Sequence, residues 1–129
     1  MIITMDNVPD TVPLPPVGKP FSFTVAVAEE KESQNGKQML AVELVMTEPG
    51  EDWSPFRAFE YFVEPLRNMR AKVALKRFLR AVGVNPEGSI DSESLKGLTG
   101  TAVLKEDRRV DKETKEVTIG RRVKDYVVG

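Results

Sequence analysis

The chain has 129 residues, of which 40% are hydrophobic and 30% charged, so it has enough apolar side chains to fill one core. It contains no cysteine, which excludes disulfides and thiolate chemistry. It also contains no histidine, so no imidazole can act as a base or as a metal ligand. Residues 1–65 contain 4 basic and 11 acidic residues, whereas residues 66–129 contain 15 and 9. The net charge of −1 therefore conceals an acidic first half and a basic second half.

Residues 1–20 contain five prolines and little periodicity, which is typical of an extended lead-in. We expect residues 21–129 to form the single domain. Its first predicted strand spans residues 21–30, and Asn35-Gly36 predicts a tight hairpin turn with positive φ angles before the second strand. Alternation places the following residues on the core face of these two strands: Phe21, Phe23, Val25, Val27, Leu40, Val42, Leu44 and Met46.

The third predicted strand, RAFEYF at residues 57–62, allows two orientations. If Arg57, Phe59 and Tyr61 face outward, they offer a cation and two stacking rings. Glu60 has the opposite parity, however, and burying an unpaired carboxylate is costly. That cost favours the reverse orientation, with both rings in the core, and a bulge would relax the conflict.

A helix is predicted from Pro65 to Gly83, because the periodicity ends at a glycine. Its apolar stripe consists of Ala71, Leu75, Phe78, Leu79 and Val82. No acidic residue occurs from 68 to 82, and the arc opposite the stripe contains Arg70, Lys72, Lys76, Arg77 and Arg80. This arc is either a solvated helix surface or a surface for a polyanion or the acidic half of a second copy.

After the helix, Asp91 is predicted to cap a short helical turn, and residues 101–106 and 117–128 form the last two strands. A charged hairpin arm with a turn near residues 111–115 connects them. The order β-β-β-α-β-β is that of the OB fold, so we expect a mainly β, five-stranded Greek-key barrel with one amphipathic helix between strands three and four.

Three segments resemble a known family in their order and spacing. They are AEEKESQNGKQMLAVELVM at 28–46, ALKRFLRAVGV at 74–84 and SIDSESLKGLTGTAVL at 89–104. Together they resemble a family of small phage proteins, long catalogued as a domain of unknown function, that look like single-stranded DNA-binding proteins. The resemblance covers most of residues 18–128. It implies an OB fold, single-stranded DNA as the partner and no catalytic signature.

An OB barrel binds a strand across its second and third strands, between the loop joining strands one and two and the loop joining four and five. Both loops are basic here, and such side chains neutralise phosphates, unless the neighbouring acidic residues pair with them on an ordinary solvated surface. The predicted nucleic-acid-binding residues are Lys31, Lys37, Trp53, Arg57, Tyr61, Lys105, Arg108, Arg109, Arg121 and Arg122.

Trp53, the only tryptophan, lies in a turn-rich loop between the second and third strands. One interpretation is that its indole stacks on a base. The alternative is that it covers the end of the barrel while Glu51 and Asp52 face solvent, and this acidic pair would repel phosphates.

No nucleotide-binding, hydrolase or metal-loop motif occurs, so we expect no enzyme, no cofactor and no metal. The leading hypothesis is a non-catalytic protein that binds single-stranded DNA, or RNA, with little sequence preference during phage-type replication or recombination. The alternative is a protein-interaction module or phage assembly subunit whose acidic and basic halves dock into a homo-oligomer. No apolar run is long enough to span a bilayer, so we expect no membrane contact and a cytoplasmic location.

Overall fold

A computed structural model of the chain describes residues 1–65 and 67–127. The elements in this part follow the predicted order. They are the strands β1 (Pro20–Glu32), β2 (Gln38–Met46), β3 (Phe56–Val63), β4 (Thr99–Val110) and β5 (Val117–Val127), the helix α1 (Met69–Ala81) and a 3-10 helix (Ser92–Leu95). Val128, the last residue of the predicted fifth strand, lies outside the described residues.

The five strands form one antiparallel sheet in the order β3-β2-β1-β4-β5. The sheet is open, because β3 and β5 share no backbone ladder within the described residues. The fold is therefore mainly β with one α-helix, as predicted. The closed Greek-key barrel is not confirmed and stays a prediction.

The core lies between the inner face of the curled sheet and one side of α1. The predicted core residues of β2 are buried, and Phe23 packs parallel to Phe78 of α1 with ring centroids 6.4 Å apart. The α1 stripe is buried as the periodicity predicts, with Leu75 partly covered. Leu95 of the 3-10 helix completes this end of the core, and Asp91 caps that helix by accepting a hydrogen bond from the Glu93 N–H at 3.1 Å.

A β-bulge in β1 changes which side chains face outward. The register with β2 skips one residue between Val25 and Val27, so Val27 lies opposite Glu43 rather than on the core side. The prediction of Val27 as a core-face residue was wrong, because strict alternation does not anticipate an extra residue in one strand. Ala28 packs against the core instead.

The β1–β2 connection is also looser than predicted. It is a five-residue loop, residues 33–37, in which the Ser33 N–H donates to the Lys37 carbonyl at 2.8 Å. Gly36 has a positive φ of 76°, but Asn35 does not, so the two-residue turn with two positive φ angles was wrong. A longer loop needs only one left-handed residue.

The helix α1 begins four residues after Pro65, which was predicted to lie in its first turn. Asn68 is the N-cap, and its side chain accepts a hydrogen bond from the Arg70 N–H at 2.9 Å. Asparagine is a strong cap because its side chain satisfies an amide that the helix leaves unpaired. Gly83, with a φ of 79°, follows the C-terminal end as predicted.

Part of the lead-in is attached to the sheet. Pro15 is fully buried, and its carbonyl accepts a 2.8 Å hydrogen bond from Arg121 Nε. The Gly18 N–H donates to the Leu104 carbonyl at 3.1 Å. Residues 1–13, in contrast, are exposed throughout and contain no helix or strand.

Candidate nucleic-acid interface

Two aromatic rings lie exposed on the side of the sheet opposite the core. Phe59 and Tyr61 of β3 are each 53% exposed, whereas Ala58 and Phe62, of the other parity, are buried. Of the two orientations of β3 that the sequence allowed, the structure therefore has the one in which Phe59 and Tyr61 face outward. Residues i and i+2 of a strand are about 6.7 Å apart, so each ring can meet one of two neighbouring bases.

The neighbours of these rings are fixed by the ladders. Phe59 lies opposite Glu43 of β2, and Tyr61 lies opposite Ala41. Beyond the bulge, β1 adds Val27 and further residues of the same parity. We call this surface the β1–β3 outer face, and its residues are Val27, Glu29, Lys31, Met39, Ala41, Glu43, Val45, Arg57, Phe59, Tyr61 and Val63.

Two ion pairs balance the charge of the β1–β3 outer face. Arg57 Nη1 donates to Glu43 Oε1, which joins β3, the strand that carries the rings, to β2. Lys31 Nζ lies 3.1 Å from Glu29 Oε1 on β1. All four side chains are mutually compensated, so this surface supplies stacking area rather than excess positive charge.

Excess positive charge lies on the hairpin arm, which we define as residues 105–122 of β4, β5 and their connecting turn. In the ladder Lys105 lies opposite Arg122, and Arg108 lies opposite Ile119. Arg109 Nε donates to Asp107 Oδ2 at 3.0 Å, in a pair that leaves the arginine largely exposed. The arm therefore presents Lys105, Arg108, Arg109 and Arg122 to solvent or half to solvent.

The turn of the arm is built around Asp111. Its carboxylate accepts hydrogen bonds from the backbone N–H groups of Glu113 and Thr114, at 2.8 and 3.1 Å. These two donors lower the pKa of the Asp111 carboxyl. An aspartate whose carboxylate accepts from the next backbone amides fixes the conformation of a turn.

Arg121 differs from the other predicted cations because it is engaged within the fold, whereas Lys37 is exposed. The Arg121 guanidinium is half-buried and donates to the carbonyls of Pro15 and Gly120, at 2.8 and 3.0 Å. It holds the lead-in against β5, so two of its five N–H donors already have partners. Lys37 is exposed at the end of the β1–β2 loop, where its side chain faces solvent.

Trp53 is the predicted stacking residue that the structure contradicts. Only 5% of it is exposed, and its ring meets Phe21 edge to face with centroids 5.0 Å apart. The neighbouring Glu51 and Asp52 are exposed. The indole therefore covers the core, as in the alternative interpretation. A loop position does not by itself keep a large ring in solvent, because burying it is strongly favourable.

Glu60 points to the core side of β3, toward the edge that faces β5. The Tyr126 hydroxyl donates to Glu60 Oε1 at 2.8 Å. Burial raises the pKa of the Glu60 carboxyl, and the Tyr126 hydrogen bond and the nearby Arg122 and Lys105 partly oppose that rise. Burial and the Glu60 charge together raise the pKa of the Tyr126 phenol. An inward Glu60 looked unfavourable from the sequence because burying an unpaired carboxylate is costly. In the structure this carboxylate has a hydrogen-bond partner.

Sequence reasoning left Phe59 undecided and did not connect Glu60 with Tyr126. The sequence did contain a signal for the orientation of β3. Ala58 and Phe62 share the parity of Glu60 and are apolar, so they favour burial of that side when the single carboxylate has a hydrogen-bond partner. In the described ranges 1–65 and 67–127, no helix is long and apolar enough to cross a membrane, and no group of three or more acidic side chains is arranged to hold a metal ion.

Comparison of the sequence with protein-family models and with curated proteins found no match. The resemblance to phage single-stranded DNA-binding proteins therefore stays a prediction.

Proposed function

We propose that the chain is an OB-type barrel whose last seam, between β3 and β5, is closed by side chains instead of a ladder. The sheet order would become a closed ring if β3 and β5 paired. Tyr126 of β5 already donates to Glu60 of β3, and α1 packs beside both strands. These contacts support a barrel of the Greek-key type.

On this barrel we infer a non-catalytic binding site for single-stranded DNA. The observation that supports it is the outward exposure of Phe59 and Tyr61 on β3, the strand an OB barrel offers to its ligand. Exposed neighbouring aromatic rings leave apolar area in water unless something covers them. Unpaired bases stack on such rings irrespective of sequence, because every base has a π-face.

The phosphates of the bound strand contact the hairpin arm and the β1–β2 loop. These supply Lys37, Lys105, Arg108, Arg109 and Arg122, and in an OB barrel these two connections frame the ligand. Arg57 contributes beside the rings, with Glu43 holding its position. Trp53 and Arg121 are left out of the site, because both are engaged within the fold.

The biological setting is proposed from the resemblance alone. It is the coating of single strands in phage-type DNA replication or recombination, in the cytoplasm of the host. No enzyme activity, cofactor or metal is part of the proposal.

The test is a fluorescence-anisotropy titration with labelled single-stranded DNA, duplex DNA and single-stranded RNA of equal length. We expect the tightest binding for single-stranded DNA and a linear decrease of log affinity with log salt concentration. Equal binding to duplex would contradict stacking, because paired bases do not offer their faces. Tighter RNA binding would change the substrate class. No binding by any oligonucleotide, together with self-association, would favour the interaction module instead.

A further inference from the structure

The exposed N-terminal arm, residues 1–13, contains several apolar side chains that nothing covers. Ile2, Ile3, Met5 and Val12 are each at least two-thirds exposed, at 99%, 67%, 68% and 74%. The arm contains two aspartates, at positions 6 and 10, and no lysine or arginine. A run of uncovered apolar side chains with acidic residues between them marks a segment that docks on a partner.

A second uncovered surface lies at the seam between β3 and β5. It is a pocket of about 380 Å³ that α1 lines on one side and β5 on the other. The apolar part includes Met69 and Val73, which are 69% and 53% exposed. We call this surface the seam pocket.

Three basic and two acidic side chains line the seam pocket, so its lining has a net positive charge. Arg70, Arg77 and Lys124 line it, and Arg77 Nη2 is 3.5 Å from Asp125 Oδ2. Glu60, the other acidic lining residue, is already bonded to the Tyr126 hydroxyl. Arg70 and Lys124 have no ion-pair partner among the residues that the structure describes. The pocket therefore suits an apolar segment with negative charge.

We propose that the N-terminal arm of one copy of this chain docks into the seam pocket of a second copy. The apolar side chains of the arm cover Met69 and Val73, and Asp6 and Asp10 pair with Arg70 and Lys124. This inference is independent of nucleic-acid binding, because no residue of the β1–β3 outer face lines the seam pocket. Glu60 belongs to β3 but lies on its core side.

The reach of the arm and its attachment fit a second copy. Pro15 and Gly18 are tied to β5 and β4, so the arm starts from a fixed point. Thirteen extended residues span at most about 45 Å, which is enough to reach a neighbouring molecule. Within one copy, every residue of the arm is exposed, so it does not fill its own pocket.

The contact joins two different surfaces, so each copy can donate an arm and accept one. One-way docking generates head-to-tail chains or rings, whereas two copies that exchange arms reciprocally form a closed two-fold dimer. The proposed ion pairs between the arm and the pocket involve solvent-exposed side chains, so the association should weaken as the salt concentration rises.

The experiment is sedimentation velocity of the full chain without DNA, over a wide range of protein concentration and at low and high salt. We expect the average mass to rise above the 14.4 kDa monomer with concentration and to fall back in high salt. The variants are Asp6→Lys with Asp10→Lys in the arm, and Arg70→Glu with Lys124→Glu at the pocket. Each alone should stay monomeric, and an equimolar mixture of the two should associate again.

Two further variants control for charge and for apolar contact. Glu51→Lys with Asp52→Lys makes the same charge change in an exposed loop and should associate like the parent. Ile3→Ser with Met5→Ser should weaken association at unchanged charge, and it cannot unfold the domain because both side chains are exposed. A chain that is monomeric at every concentration overturns the proposal, as does association that the arm variants leave unchanged or a mixture that fails to associate.

Discussion

The Tyr126 hydroxyl donates a 2.8 Å hydrogen bond to Glu60 Oε1 and so connects β5 to β3 across the open seam of the sheet. Tyr126 also meets Phe23 and Phe78 edge to face, with ring centroids 6.0 and 5.5 Å away. The polar end of the tyrosine therefore holds β3 while its ring packs in the core. Because burial raises the pKa of the Glu60 carboxyl, the free energy of unfolding should depend on pH.

Glu60→Gln should make the protein more stable than the parent near neutral pH and equally stable well below pH 4.5. Burial raises the pKa of the Glu60 carboxyl above 4.5, so the folded state binds its proton more tightly than the unfolded state. The parent therefore loses stability as pH rises from 4.5 through the raised value, and glutamine removes that loss. The glutamine oxygen can still accept from Tyr126. Urea unfolding at several pH values measures the difference.

Tyr126→Phe should change the pH dependence of stability in the opposite direction from Glu60→Gln. The Tyr126 hydrogen bond lowers the pKa of Glu60, so its removal should raise that pKa further and steepen the loss of stability with rising pH. If Glu60→Gln is less stable than the parent at neutral pH and Tyr126→Phe leaves the slope unchanged, the ionised carboxylate is net stabilising and this account of the seam is wrong.

Trp53→Ala should lower the free energy of unfolding by about 3–5 kcal/mol, as the removal of a buried large ring does. The indole is nearly inaccessible and packs on Phe21, so nothing in the loop replaces it. Denaturant unfolding followed by circular dichroism measures the loss, and Trp53→Phe, which keeps an aromatic ring, should lose less.

The same burial predicts that a bound oligonucleotide does not stack on the indole. Intrinsic tryptophan emission should be weakly accessible to acrylamide, and saturating single-stranded DNA should not produce the contact quenching expected of an exposed ring. Strong saturable quenching, with an unchanged melting temperature in Trp53→Ala, would return Trp53 to the binding site.

The strands and the helix were predictable because their patterns are local. Alternation at Leu40, Val42 and Leu44 fixes which side of β2 is buried, and the 3.6-residue stripe fixes the buried side of α1. Even the short cap at Asp91 follows from one side chain that accepts from a nearby amide.

The predictions failed where the orientation of a side chain depends on residues that are distant in the sequence. The bulge after Val25 depends on the fit of β1 to two neighbouring strands, and the inward Glu60 depends on Tyr126, 66 residues away. Trp53 was misplaced because its partner Phe21 lies on β1, far from this loop in the sequence. Parity and loop position cannot show such contacts, so the orientation of β3, on which the candidate site depends, was left open by the sequence.

Arg108→Glu with Arg109→Glu should weaken binding of single-stranded DNA and flatten its salt dependence, while the fold stays intact. Both side chains are exposed on the hairpin arm, so surface replacement should change stability little. Two lost phosphate contacts correspond to a decrease of about 1.4 in the slope of log affinity against log salt. Anisotropy titrations at four or more salt concentrations give the slope.

A matched control changes the same charge elsewhere. Arg67→Glu with Lys96→Glu replaces two exposed cations away from the arm and should reduce affinity only through net charge, with little change in the slope. If the two double variants bind alike, the hairpin arm is an ordinary solvated surface and the phosphates lie elsewhere.

Phe59→Ala with Tyr61→Ala should reduce affinity for single-stranded DNA by about 1–3 kcal/mol for each ring that stacks, with the salt slope nearly unchanged. Neither ring is part of the core, and the ladder between β2 and β3 does not depend on their side chains, so the melting temperature should change little. The exchange Phe59→Tyr with Tyr61→Phe keeps both π-faces in place and should bind like the parent. Affinity and melting temperature measured on all three proteins separate stacking from folding. If the alanine variant is as stable as the parent and binds equally well, these rings do not contact bases, and the β1–β3 outer face is not the DNA site.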